Sequence, residues 1–298
     1  MADARHILII VNPDAGRVGS HRRHLGRVVA VLQRRGCTVV VRDAGPMPGA
    51  AEHLARTAEP EFDVIVAAGG DGTIAAVVNG VAASPRPIAV LPFGTANVLA
   101  AEIGLPRRAA DRAVVIATGP AQPIWPGRIG GRAFVTSASS GFDADVVATV
   151  DARLKRRGGR LAFLWASLVC LWRYRERRII VRVNGAEHLA AAAIATTGPL
   201  YAGRFLIAPE AVLGEPVLHI VLFRGGGRLA VLRYAAALWL GRLPRTAGVT
   251  ILSTHTATIA GGDGGPVQAD GDIVACLPVT LDIAPHAIPL IQPRREKV

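Results

Sequence analysis

One stretch limits what this chain can fold into more than any other: Phe62–Gly80, FDVIVAAGGDGTIAAVVNG. It opens on an apolar, β-branched run at Val64–Val66, breaks at Gly69-Gly70-Asp71-Gly72-Thr73, and resumes as an Ala/Val-rich segment of helical length. That order reads as a strand, a glycine turn and a helix start. Thr73 is placed to cap the helix, with its side-chain oxygen on an early backbone N–H. Glycines at such a turn let backbone N–H groups approach a phosphate at the positive end of the helix. Asp71 changes that chemistry. A carboxylate repels phosphate oxygens unless a divalent cation lies between, so the turn suits a magnesium-nucleotide better than a free phosphate. The stretch is not a P-loop, because no Gly-Lys-Ser/Thr follows, and it is not G-x-G-x-x-G. Taken alone, it fits ordinary loop chemistry equally well.

The segments around it repeat the alternation. His6–Val11 is a continuous apolar run, read as a buried parallel strand that ends in the turn Asn12–Gly16. His21–Arg34 carries Leu25, Val28, Val29 and Leu32 at helical spacing. Cys37–Arg42 and Pro87–Leu91 read as strands; Ala50–Ala58, Val98–Ile103 and Arg108–Thr118 read as helices. Strands alternating with helices imply a parallel sheet with helices on its faces. Such sheets bind ligands beyond the carboxyl ends of their strands. The loops Asn12–Gly16, Gly69–Thr73 and Pro92–Asn97 are therefore expected to meet around one ligand. Asn12, Thr95 and Asn97 offer uncharged hydrogen-bonding groups that suit a nucleotide, and each would equally serve as a helix cap or Asx-turn.

The pattern changes after Trp125. Short strand-like segments follow: Ala133–Ala138, Ile179–Asn184, Leu189–Thr196, Val217–Phe223, Thr246–Ser253, Ala257–Ala260, Val267–Ala269, Ile273–Leu277 and Thr280–Ala284. They imply an antiparallel sandwich or barrel. Two helical pieces interrupt them, Val146–Arg175, broken near Gly158-Gly159, and Arg228–Leu240. The expected division is an α/β nucleotide-binding domain over 1–125 and a β-rich substrate domain over 126–285. Ile288–Gln292, within 286–298, is expected to return to the first domain.

Composition narrows the setting. The 298 residues are 51% hydrophobic, enough for two modest domains with real cores. Lys and Arg number 34 against 22 Asp and Glu, a formal charge of +12 that suits anionic lipid, nucleic acid or phosphorylated substrates, although an Arg-rich genome would also produce it. No helix-turn-helix, finger or aromatic RNA-binding signature supports nucleic acid. Three scattered cysteines without C-x-x-C spacing argue against a disulfide framework or zinc site and for a reducing compartment. No uninterrupted apolar run reaches the roughly 18 residues of a membrane span, so a soluble or peripheral protein is expected. The segment Leu161–Trp172 is flanked by Arg153, Lys155, Arg156, Arg157 and Arg160 on one side and Arg173, Arg175, Arg177 and Arg178 on the other. Basic residues around a Trp- and Leu-rich helix describe an interfacial helix; a core helix with solvated ends would look the same. Late in the chain, Asp270-Gly271-Asp272 places two carboxylates two residues apart. They could hold a metal or take a proton from a hydroxyl, or simply form a hairpin turn.

Taken in order, Asn12-Pro13-x-x-Gly16, Gly69-Gly70-Asp71-Gly72-Thr73, Pro92-x-Gly94-Thr95-x-Asn97 and Asp270-Gly271-Asp272 resemble the diacylglycerol kinase catalytic-domain family, which includes bacterial soluble lipid kinases and is similar to sphingosine and NAD kinases. Gly141-Phe142-Asp143-Ala144, Tyr201-Ala202-Gly203 and Ala208-Pro209 extend the resemblance over nearly the whole chain. The resemblance implies an NAD-kinase-like α/β domain, a β-sandwich-like domain and an active site in the cleft between them. It implies transfer of the ATP γ-phosphate, with Mg²⁺, to a lipid hydroxyl at the inner face of a bacterial membrane, by a cytoplasmic, peripheral protein. On that pattern Asn12, Pro13, Gly16, Gly69, Gly70, Asp71, Gly72, Thr73, Gly94, Thr95 and Asn97 bind the nucleotide. Asp71 holds magnesium, and Asp272 with Asp270 orients and deprotonates the hydroxyl. Three positions depart from the pattern. Asp272 stands where the family has Glu. Glu215, Pro216 and His219 stand in place of Asp-Gly-x-x-Asp, leaving Glu215 as the substitute metal ligand. Ala44 or Gly45 replaces a threonine. A kinase of a soluble hydroxyl and a non-catalytic nucleotide-binding regulator remain alternatives.

Overall fold

The apolar runs of the first third form strands because only a sheet covered on both faces can bury them. In the computed structural model, which describes residues 5–13, 18–150, 160–175, 177–261 and 264–294, the chain divides into two compact units. One comprises 1–124 with 286–298, the other 125–285.

The first unit runs β1 (His6–Val11), α1 (Val18–Arg34), β2 (Thr38–Asp43), α2 (Ala50–Arg56), β3 (Val64–Gly69), α3 (Asp71–Val81), β4 (Ile88–Pro92), α4 (Val98–Glu102), α5 (Ala109–Thr118) and β5 (Ala121–Ile124). Its sheet order is β2-β1-β3-β4, parallel throughout. Ile7, Ile9, Val64 and Val66 pack with Val28 and Leu32 of α1 and with Ala113 and Ile116 of α5. The alternate residues Leu8, Ile10, Ile65 and Ala67 are fully buried as well, so both faces are covered. Full burial of each such aliphatic side chain contributes roughly 1.5–3 kcal/mol. Beyond β4 the sheet continues with the last strand of the chain, β20 (Ile288–Ile291), parallel to β4, and then β5, antiparallel to β20. The sheet is thus parallel except at this edge.

The second unit is antiparallel. Its elements are β6 (Gly127–Ile129), β7 (Arg132–Phe134), β8 (Ser137–Ser140), α6 (Phe142–Thr149), α7 (Arg160–Trp172), β9 (Ile179–Val183), β10 (Ala186–Ala190), β11 (Ala192–Thr196), β12 (Leu200–Tyr201), β13 (Phe205–Leu206), β14 (Leu218–Phe223), α8 (Arg228–Trp239), β15 (Val249–Thr254), β16 (Thr256–Gly261), β17 (Pro266–Ala269), β18 (Asp272–Cys276) and β19 (Val279–Ile283). Two six-stranded sheets form, β10-β9-β16-β19-β6-β7 and β15-β14-β11-β8-β17-β18. Phe134, Val181, Ile259 and Leu281 of the first meet Ala195, Ile220, Leu222 and Val267 of the second in one core, which makes this unit a sandwich. Gly127 admits the Phe134 ring: a Cβ there would lie 2.1 Å from it. On the outer face of the second sheet, Ile194 and Val221 pack with Tyr234 of α8 and with Ile207 and Ala208.

Two expected strands are each two strands. Ala133–Ala138 spans the end of β7, a corner, and the start of β8. Leu189–Thr196 spans β10 and β11, which lie in different sheets. No glycine, proline or charged residue interrupts either segment, so nothing in it signals that the chain changes sheets. The expected helix Val146–Arg175 is α6 and α7. Residues 151–159 between them, with Arg153, Lys155, Arg156 and Arg157, lie outside the described residues, as do Gly16 and the side chain of Arg160.

Candidate active site

In the first unit, the glycine turn sits where β3 gives way to α3, and neighbouring loops close on it. Asn12, just past β1, donates from Nδ2 to Thr73 Oγ1 at 3.2 Å. Thr73 is therefore not the helix cap. The N-cap position belongs to Gly70 and carries no side-chain cap, while Thr73 is buried one turn in. Glycine is required at Gly69, where a Cβ would sit 2.3 Å from Thr73 Oγ1. It is required again at Gly94, where a Cβ would sit 2.6 Å from the Gly70 Cα. The loop after β4 thus packs backbone to backbone against the turn after β3. Asn97 holds that loop: Gly94 N–H donates to its Oδ1 at 2.9 Å, and its Nδ2 donates to the Gly94 carbonyl at 2.7 Å. Its amide is engaged within the protein, at a left-handed backbone position (φ 50°) that asparagine tolerates. Thr95 is exposed, and Pro13 lies in the turn after β1.

Asp71 opens α3 with its carboxyl directed inward. Burial pushes its pKa up, against the N–H groups of Val98, Asn97 and Leu99 at the start of α4, which pull it down. Its Oδ1 is buried and accepts no hydrogen bond. A buried carboxylate oxygen without a partner is costly, and a cation would supply the missing partner. Among the described residues no three His, Cys, Asp or Glu side chains cluster as a metal site. A cation at Asp71 would complete its shell with water and phosphate oxygens, which is how Mg²⁺ is ordinarily held. Among the described residues, no backbone hydrogen bond claims the N–H groups of Gly70 and Gly72, whereas that of Thr73 bonds the Gly70 carbonyl. The residues present fit a magnesium-nucleotide.

In the second unit, Asp270 and Gly271 form the two-residue turn between β17 and β18, both at positive φ (50° and 85°), and Asp272 is the first residue of β18. The Asp270 carboxylate accepts from Val135 N–H (2.8 Å), Thr136 N–H (2.8 Å), Thr136 Oγ1 (2.6 Å) and, at longer range, Ser137 N–H (3.4 Å). So many donors fasten it to the corner between β7 and β8. That bonding suits a structural clasp, not a proton acceptor or a metal ligand. Asp272 is exposed at the end of the hairpin. Glu215 is exposed in a turn before β14, and burial lowers the pKa of the nearby His219 while the charges of Glu210 and Glu215 raise it. Nothing else gathers around Glu215 to make a metal site among the described residues.

The profile of the diacylglycerol kinase catalytic domain matches residues 6–129, and that of the YegS C-terminal NAD kinase β-sandwich-like domain matches 136–292. The chain belongs to the diacylglycerol kinase catalytic-domain family. It is 28% identical to a diacylglycerol kinase of Mycobacterium tuberculosis over 97% of this chain and 95% of that one. It is 35% identical to a diacylglycerol kinase of Bacillus subtilis, with 59% of each chain covered. A crystal structure of a diacylglycerol kinase from Bacillus anthracis has the same fold, with a TM-score of 0.79, 20% identity, and coverage of 98% of this chain and 99% of that chain.

Against the family's motifs, Ala44 and Gly45 offer no side-chain hydrogen bond where the family has threonine. One cluster was not assigned a role from sequence. Asp143 in the first turn of α6 accepts from Tyr201 Oη, from Ser139 Oγ and from Gln268 Nε2 at 3.0 Å. Burial and the Asp143 charge hold the Tyr201 phenol well above its ordinary range. Asp143 and Tyr201 stand in stretches that match the family, but Gln268 is 125 residues from Asp143, and no local spacing links them.

Proposed function

We propose that this chain is a lipid kinase that uses ATP and Mg²⁺ to phosphorylate the hydroxyl of a diacylglycerol-like or related lipid. The observation that carries the reading is the buried, unpartnered Oδ1 of Asp71 at a glycine turn whose Gly70 and Gly72 N–H groups are uncommitted. Family membership points the same way. Asp71 would hold the cation against the phosphates, and the turn's N–H groups would bind phosphate oxygens. The cation supplies charge neutralisation as the γ-phosphoryl group transfers. A bond forms between the acceptor oxygen and the γ-phosphorus, the bond from that phosphorus to the β–γ bridging oxygen breaks, and ADP leaves. Asp272 takes the hydroxyl proton. Asp270 supports it by fixing the turn.

The acceptor's chemistry is supported by a surface. Leu164, Trp165, Leu168 and Trp172 project from α7 while Ala166 faces inward. Leu229, Leu232 and Trp239 project from α8, opposite the buried Tyr234. The two helices meet where Arg228 donates to the Trp172 carbonyl at 2.5 Å. Exposed Arg173, Arg175 and Arg178 lie close by in sequence, while Arg177 is paired with Asp145 at 2.7 Å. No helix among the described residues is long and apolar enough to cross a membrane. Apolar side chains rimmed by arginine suit the headgroup region of an anionic bilayer, where a peripheral enzyme at the inner face would meet its lipid. A kinase of a soluble hydroxyl needs no such surface. The test is incubation of the purified chain with labelled ATP, Mg²⁺ and lipid extract, with products identified by mass spectrometry. A labelled phospholipid is expected; label only in soluble products, or none, would overturn the reading.

A further inference from the structure

The hairpin that carries Asp272 is held from two directions, and only one of them is the Asp270 clasp. Gln268 and Ser139 are register partners on neighbouring strands β17 and β8, so their side chains share a face. Gln268 Nε2 donates to Ser139 Oγ at 2.8 Å and to Asp143 at 3.0 Å. Its Oε1 accepts from the Gly271 N–H at 2.9 Å. An amide has one acceptor end and one donor end, so whatever fixes the donor end aims the acceptor. Asp143 does the fixing, because an ionised carboxylate offers only acceptors and selects the Nε2 side. Asp143 itself is placed by Gly141, whose φ of 109° lets β8 turn into α6 and where a Cβ would lie 2.5 Å from Ala192 Cβ. Tyr201 and Ser139 donate to the two carboxylate oxygens and lock the rotamer. The chain of bonds runs Tyr201, Asp143, Gln268, Gly271, and ends one peptide before Asp272.

We propose that Asp143, acting through Gln268, is a positioning residue that sets where Asp272 stands. The inference rests on the reading of Asp272 as proton acceptor. Asp143 touches neither nucleotide nor acceptor in this scheme; it fixes the backbone of the residue that does. Small displacements of a reacting group are expensive, on the order of 10²-fold in rate for about 1 Å.

The experiment compares the full chain with Asp143→Asn, Gln268→Leu and Tyr201→Phe, using labelled ATP and total lipid extract, and follows exchange of the Gly271 amide. Asp143→Asn and Gln268→Leu are expected to lower the apparent kcat about 10- to 100-fold with the KM for ATP unchanged. Both should speed exchange of the Gly271 amide. Tyr201→Phe, which leaves Asp143 two of its three donors, should have the smallest effect. The deciding arm is the double variant. On the Asp272→Asn background, Asp143→Asn should add little, because residues acting as a unit are non-additive. If Asp272→Asn is slow and Asp143→Asn keeps full kcat, or multiplies the loss independently, the positioning role is overturned while the kinase reading stands. If Asp272→Asn keeps full activity, or the unaltered chain labels no lipid, the underlying reading fails and this inference with it. Should Asp143→Asn not fold, Gln268→Leu carries the same comparison, and unchanged Gly271 exchange in it would defeat the proposal.

Discussion

Two aspartates that sit beside glycine, Asp71 and Asp270, look alike in sequence and are opposites in the folded molecule. Asp270 gives its carboxylate to two close backbone N–H groups, a hydroxyl and a longer third N–H, and so joins a hairpin to a sheet corner. Asp71 is half-buried like it, yet its Oδ1, itself out of reach of solvent, has no partner at all. A protein ordinarily satisfies a buried polar atom, so an orphan at a glycine turn marks a place where something from outside completes the structure. An Asp-Gly pair by itself does not distinguish a fastening from a binding group. Whether both oxygens of the carboxylate have a donor does: those of Asp270 are both engaged, and Oδ1 of Asp71 is not.

That contrast can be broken most directly by activity. Asp71→Asn and Asp272→Asn should each lower turnover by about 10²–10⁴-fold, the former with a sharply raised Mg²⁺ requirement, and the latter with nucleotide binding intact. Asp272→Glu, which restores the family's reach, should keep or improve the rate. Steady-state kinetics across a Mg²⁺ titration separates the two, and normal turnover in either asparagine variant removes that residue from the chemistry.

Stability sharpens it next, with opposite signs. Asp270→Ala strands backbone N–H groups at the β7–β8 corner and should cost about 1–3 kcal/mol in denaturant unfolding. Asp71→Asn should be neutral or stabilising without Mg²⁺, by on the order of 1 kcal/mol, because it removes a desolvated charge one of whose oxygens has no partner. The sign follows from the raised pKa of Asp71. With its folded value above the unfolded one, the protonated group stabilises the fold at low pH, and that contribution is lost as pH rises through the folded value. The melting temperature of the metal-free protein should therefore fall more between acid and neutral pH than that of Asp71→Asn. Parallel curves would mean that Asp71 is satisfied in solution.

The smallest effect concerns the membrane face. Each arginine near the surface of an anionic vesicle contributes about 1 kcal/mol, screened over roughly 8–10 Å at physiological salt. Removing Arg173 or Arg175 should weaken co-sedimentation with phosphatidylglycerol vesicles several-fold, less so at high salt. Equal binding to neutral vesicles would take charge out of the account and leave only the apolar side chains of α7 and α8.

Much of this fold could be read from periodicity because its signals are local. A buried apolar run followed by a helical stripe specifies β1, β3 and β4 within windows of a dozen residues. The corner between β10 and β11 could not be read, since an unbroken alanine run, Ala190 to Ala193, crosses it while the chain changes sheets. The site divides the same way. The Gly69–Thr73 turn announces itself in five residues, although the capping role read for Thr73 went to a bond with Asn12, 61 residues away. The Asp143 cluster joins residues 58 and 125 positions apart, and only tertiary packing brings them together.

The place of β20 has a consequence for how the molecule is made. This strand lies between β4 and β5, so the sheet of the first unit has a gap until β20 has been made. Roughly 160 residues separate β5 from β20, about 10–30 s of translation at bacterial rates. During that interval β4 and β5 present unpaired edges on the nascent chain, which is the kind of surface that recruits the wrong strand. A strand made after the whole second unit is thus the one that closes the first sheet to form, and a ribosome stalled in the second unit would hold the first with an open seam.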